Sequence, residues 1–335
     1  MNESIRKKCD LLAQNYGIVQ NSAKLDFAQT AALGALIYTN KNALAKEADI
    51  RANRKLLHAK VSAFSNLAGH TALALLCKMS LSEDPEAYLD KVIAAYDNFK
   101  RGTFHSEYEA LAASCMADNA DPASYEEIGR KAIEILDKMA ESHPLLTGPE
   151  DSTAAAMLAM TDLDADAVLS EAEECYQFIK NDGFTFSKDA LQSVSLILAL
   201  SPGTAEEKCR YFQKLRHALA KTGSKISGGQ MPILAAFIDL AASPEQIAAD
   251  IDEACRYLKT QSGFGDWFGV GYRMRVTLAS AIVFQAYREE EGVCSVADTA
   301  NNAMASVITQ QIVVDIIMTM IIIAVVVTTA SSRTT

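Results

Sequence analysis

Apolar side chains recur at Tyr88, Leu89, Val92, Ile93, Tyr96 and Phe99, an i, i+3, i+4 spacing that places them on one face of an α-helix. Glu86, Asp90, Lys91 and Asp97 fall among the outward positions. The segments 154–160, 194–200 and 233–242 differ, because they are apolar nearly all round. That pattern belongs to helices buried between two layers. Alternation of the two kinds predicts helical hairpins, each with a buried first helix and an amphipathic second one. Residues 3–60 have looser periodicity and predict two or three further helices that cap the stack.

The helix ends repeat. Asp84-Pro85, Asp121-Pro122, Asp164, Thr204 and Ser243-Pro244 each offer an N-cap oxygen, at spacings of 37, 43, 40 and 39 residues. Proline suits the first helical position, where its missing N–H has no partner to lose. A second series, Ser106 with Glu109, Thr147 with Glu150, Ser187 and the Ser227-Gly228 break, runs at 41, 40 and 40. Its first two members read as capping boxes. Glycines in Gly102-Thr103-Phe104, Gly183-Phe184 and Gly263-Phe264 mark helix ends, and the three phenylalanines lie 80 residues apart. Three markers with one period near forty predict an all-α, helical-hairpin (α/α) repeat solenoid. In Cys175-Tyr176, Cys209-Arg210-Tyr211 and Cys255-Arg256-Tyr257, a small soft side chain and an aromatic recur in mid-helix. They are expected to pack one layer on the next. The predicted organisation is an N-terminal helical cap at 1–62, a repeat body at 63–291 and an apolar C-terminal helix within 292–335.

After Glu289-Glu290-Glu291-Gly292 the composition changes, and between residues 303 and 330 the only ionisable side chain is Asp315. The β-branched run 321–327 forms a helix poorly in water unless packing rescues it. Its uncharged part, 316–330, would extend roughly 22 Å, short of the ~30 Å hydrocarbon core of a bilayer. Lengthening the span brings in Asp315, Gln310 and Gln311. Three fates remain open for this tail: membrane insertion or association, assembly with other copies, and a cover laid along the body. In the first two, Asp315 is the residue on which insertion or assembly turns.

Acidic residues outnumber basic ones, 42 to 31, leaving a net charge of −11. Such a chain repels phosphate backbones, so no nucleic-acid partner is expected. The basic group Arg51, Arg54, Lys55, His58 and Lys60 reads as a solvated helix face. The seven cysteines are scattered, with no C-x-x-C pair. The charged N-terminus is unlike a signal segment, so the body is expected in the reducing cytoplasm, with most thiols buried as small hydrophobes. The five histidines show no ligand spacing, and phosphate-loop, dinucleotide and nucleophile-elbow motifs are absent. Neither a metal nor another cofactor is expected, and the enzyme question leans to no.

Two places could carry binding chemistry. In Thr147-Gly148-Pro149-Glu150-Asp151-Ser152, Glu150 and Asp151 could hold a cation, although a capping box already accounts for them. In Gln261-Ser262-Gly263-Phe264-Gly265-Asp266-Trp267, the only tryptophan precedes Arg273 and Arg275. This run resembles the Q-x-x-x-G-x-W repeat of terpene cyclases and related α/α toroids, where the motif links helix ends. A turn stapled by an aromatic is the simpler reading, and binding by Trp267 with the two arginines stays open.

His143-Pro144-Leu145-Leu146-Thr147 running into Glu150-Asp151, Ala205-Glu206-Glu207-Lys208-Cys209, and residues 257–267 resemble a bacterial family catalogued as a domain of unknown function, number 4003. The likeness covers most of the chain, including an apolar helical tail after the Gln310-Gln311 pair. It implies a bacterial source and a helical-repeat body, and brings no activity with it. Two functions follow as expectations. One is an interaction or scaffold protein, with a protein partner or itself as partner and a tail that assembles it or meets a membrane. The other is a toroid-like enzyme or small-molecule binder. A cleft with converging acidic and aromatic groups would favour the second.

Overall fold

The computed structural model describes residues 1–23, 28–62, 65–69, 71–100, 107–142, 147–148, 151–181, 188–226, 228–267 and 269–291. Among these residues the protein is all-helical, with fourteen α-helices and no strand. Three helices open the chain, α1 (Glu3–Ser22), α2 (Ala28–Asn40) and α3 (Glu47–Lys60). The next are α4 (Ala72–Leu81), α5 (Pro85–Lys100), α6 (Glu107–Asn119), α7 (Tyr125–Ser142), α8 (Ser152–Ala159) and α9 (Ala165–Asn181). The last are α10 (Lys188–Ala199), α11 (Ala205–Thr222), α12 (Pro232–Ala235), α13 (Pro244–Lys259) and α14 (Gly271–Glu290).

The helix starts at α5, α7, α9, α11 and α13 fall where the first capping series places them. Asp84 Oδ1 accepts the backbone N–H groups of Glu86 and Ala87, both at 3.0 Å. Asp121 caps a short 3-10 turn, Pro122–Ser124, that leads into α7, accepting from Ala123 N at 2.8 Å. Thr204 forms a capping box with Glu207, and Ser243 Oγ accepts from Gln246 N at 3.2 Å. Each bond satisfies a donor that the helix itself cannot.

The second series fares differently. Ser106, Ser187 and Ser227 lie outside the described residues, as do Glu150, the glycines of 102–104 and 183–184, and residues 292–335 with Asp315. Thr147 is a correction: α8 begins at Ser152, and the buried Thr147 hydroxyl has no hydrogen-bond partner. The Asp151 carboxylate folds back onto the Gly148 N–H at 3.0 Å. Thr147 therefore stands before α8 rather than at its N-cap.

The first helices are buried as their composition requires, and all eight residues of α8 are buried. The segment 233–242 departs from expectation. It makes one α-turn in α12, then tightens into a 3-10 turn, Ala236–Asp239, that ends at the extended Leu240. Bonds such as Leu234 N to Met231 O (3.0 Å) and Leu240 N to Phe237 O (3.2 Å) pair groups three residues apart, an economy suited to so short a piece.

The chain forms two compact units. Among the described residues, one contains 18–38 and 45–165, and the other 1–17, 39–44 and 166–291. In the first unit α5 packs on α6 and α7, and α8 on both of those. Buried Asn53 of α3 donates to Leu76 O (3.3 Å) and Ser80 Oγ (2.9 Å) of α4, so its amide is paired. The basic α3 cluster is largely exposed, as a solvated face should be.

In the second unit α13 packs on α11 and α14. The N-terminal half of α1 joins it. Lys8, 4% exposed, donates to Glu289 Oε1 and Asn42 Oδ1, both at 2.9 Å, and Tyr257 Oη donates to Asp10 Oδ1 at 2.5 Å. Six cysteines are free and buried; Cys294 lies outside the described residues. Burial pushes the Cys9 thiol up to about 12. Of the mid-helix pairs, Cys175 and Tyr176 are core residues, whereas half-buried Tyr211 donates to Ala242 O at 3.3 Å. Among the described residues, no helix is long and apolar enough to cross a membrane.

Candidate functional site

The Gln261–Trp267 run forms a tight loop between α13 and α14. Gly263 adopts φ +86°, which places Phe264 in the core, fully buried against Tyr16 with ring centroids 5.0 Å apart. Val270 N donates to Gly263 O at 2.9 Å and Gly271 N to Gly265 O at 3.2 Å, closing the loop. Phe264 rather than Trp267 is the aromatic that staples this turn. The turn is stapled by an aromatic as expected, and Trp267 itself is 92% exposed. An indole in that position gains nothing from the core and is free to meet something else.

Beside the loop lies a cleft of about 490 Å³. Its wall on α13 carries Asp252, Cys255, Arg256 and Lys259, which share one helix face by their i, i+3, i+4, i+7 spacing. The end of α11 supplies Thr222, Gly223 and Ser224, the loop supplies Asp266, and α14 supplies Tyr272 and Arg275.

The polar groups interlock. Ser224 Oγ donates to Asp252 Oδ1 at 2.7 Å, and Arg256 Nη2 pairs with Asp252 Oδ2 at 2.9 Å. Asp266 receives Lys259 Nζ at 3.1 Å and Arg275 Nη1 at 2.8 Å. Lys259 and Arg275 hold its carboxyl below the ordinary aspartate range. Tyr272 Oη accepts the Lys225 N–H at 2.6 Å, and its ring lies 5.7 Å from the Arg275 guanidinium carbon. Burial raises the Cys255 thiol against the pull of Arg275 and Ser224, so the acid form dominates at neutral pH.

Arg275 is the least ordinary member. It is 2% exposed, and its Nη1 also donates to the Phe264 carbonyl at 2.6 Å. Its Nε is buried without an acceptor. An unmade bond from a buried cation is costly, and this one lies on a residue of the cleft wall.

Of the residues expected to carry binding, only Arg275 lines this cleft. Trp267 follows the wall residue Asp266 in the chain. Arg273 is exposed on α14 and is not part of the wall. Asp151 belongs to a turn in the other unit, and Glu150 and Asp315 lie outside the described residues. Among the described residues, no group of three or more histidine, cysteine or acidic side chains could hold a metal ion. The polar stripe 252, 256 and 259 on α13 was readable as one face, but its pairing with residues 224 and 275 was not.

No curated protein and no solved structure matches the chain. Residues 15–313 match the sequence model of the family described as "Protein of unknown function (DUF4003)". The match spans most of the chain, so this protein belongs to the DUF4003 family of proteins of unknown function.

Proposed function

We propose that the protein is a helical-hairpin repeat protein that binds a small ligand in the cleft between α11, α13 and α14. The observation that carries this reading is the buried Arg275, whose Nε has no acceptor, in the wall of a cleft where charged and aromatic side chains converge. The lining is mainly polar, with Tyr272 and Cys255 as its apolar contacts, and the volume lies in the range of small-molecule sites. The repeat part rests on five helix starts spaced by about forty residues. The test is a thermal-shift screen with small molecules of anionic, neutral and cationic classes, run on wild type and on Arg256→Ala. A rise in Tm for one class, reduced in the variant, supports the reading. Wild type unmoved by every class overturns it.

The apolar composition of residues 303–330 favours a second reading, an interaction or scaffold protein that the tail assembles or attaches to a membrane. Fractionation of the intact chain and of a chain ending at Glu291, each followed by size measurement, tests it. Identical behaviour as monomers would overturn it.

A further inference from the structure

We infer that the ligand of this cleft is a small monoanionic carboxylate, its acid group taken by Arg275 and Arg256. The inference rests on the binding reading above and adds the sign and shape of the ligand. The argument is one of donors and acceptors. Both carboxylates of the wall are already engaged, Asp252 by Ser224 and Arg256, and Asp266 by Lys259 and Arg275. Donors remain over. Arg275 Nε is buried and unmet, while Arg256 and Lys259 keep side-chain exposures of 72% and 58%. A guanidinium presents five N–H donors and an ammonium three, so one carboxylate oxygen apiece, with the Phe264 carbonyl on Arg275 as well, leaves donors unused.

Charge agrees with geometry. Arg256, Lys259 and Arg275 stand against Asp252 and Asp266, an excess of one positive charge in a chain whose net charge is −11. A monoanion balances that excess, whereas a phosphate dianion would exceed it. The planar guanidinium of Arg275 is suited to a carboxylate, and Tyr272, already beneath that guanidinium, gives the remainder of the ligand an aromatic surface. Cys255 adds a soft apolar contact in the same wall.

Benzoate, benzamide and benzamidine share one ring and nearly one shape while carrying negative, zero and positive charge. Calorimetric titration of the full chain with these three and with inorganic phosphate tests the inference. Emission of Trp267, the only tryptophan, reports whether binding occurs at this loop. Benzoate is expected to bind at least tenfold more tightly than benzamide or benzamidine and to perturb Trp267 emission. Arg256→Gln at the exposed rim should weaken benzoate about fivefold without loss of folding. Arg275→Lys, which keeps the charge and removes the guanidinium plane, should weaken it further if it folds. Binding of benzamide or benzamidine as tight as that of benzoate would overturn the carboxylate inference and leave the binding reading standing. Tighter binding of phosphate would overturn it in favour of a phosphoryl group. Failure of all four probes would also overturn it, and failure of the mixed screen would overturn the binding reading as well.

Discussion

Gly263 lies against the ring of Tyr16 so closely that a β-carbon added to it would sit 2.1 Å from Tyr16 Cε1. Its φ of +86° is a second reason for glycine, since L side chains rarely adopt it. Gly263→Ala is therefore expected to destabilise the protein by roughly 2–4 kcal/mol, from overpacking and left-handed strain together. Gly265→Ala meets nothing within 4 Å and should stay within about 0.5 kcal/mol of wild type. Urea unfolding of the two variants checks the contrast.

Thr204→Ala removes an N-cap that accepts from Glu207 N at 3.3 Å and should cost about 1 kcal/mol. Thr147→Ala removes a hydroxyl without a partner and should be nearly neutral in the same assay. An equal loss at both positions would mean that Thr147 caps a helix after all.

Lys208 is 1% exposed, donates to Ser201 O at 2.9 Å and pairs with Glu171. Lys208→Ala leaves the buried Ser201 carbonyl without this donor and opens a void, and should cost roughly 3 kcal/mol. Lys208→Met fills the volume and should cost less. Chemical denaturation orders the pair.

Asp266 has a folded-state pKa lowered from the ordinary 3.8, first by its bond to Lys259 and then by Arg275. A depressed acid contributes stability that is present above its unfolded pKa and lost as pH falls through the folded one. Asp266→Asn should therefore be less stable than wild type at neutral pH, and the difference should shrink as pH falls below about 4. Thermal melts across that range show whether the gap closes on the acid side.

Trp267→Ala should leave stability within about 0.5 kcal/mol of wild type, because the side chain is 92% exposed. Wild-type emission should be that of an indole in water. A blue-shifted emission, or a Tm lowered by the variant, would place Trp267 in the core instead.

What the sequence determined by itself is local. Asp84, Asp121, Thr204 and Ser243 mark helix starts because a cap acts on backbone groups two or three residues away, within the reach of a short pattern. Burial of α8 followed from composition for a similar reason, since an apolar surface on every side admits no solvent face. Tertiary structure decided what depends on distant residues. Tyr16 and Gly263 are 247 positions apart, so their contact left no trace in either segment. It also decided that Phe264 faces inward and Trp267 outward, a choice two neighbouring aromatics cannot settle from their own spacing. Arg275, Asp266, Asp252 and Ser224 became one cleft because α11, α13 and α14 pack together, and the unmet donor on Arg275 exists only in that packing.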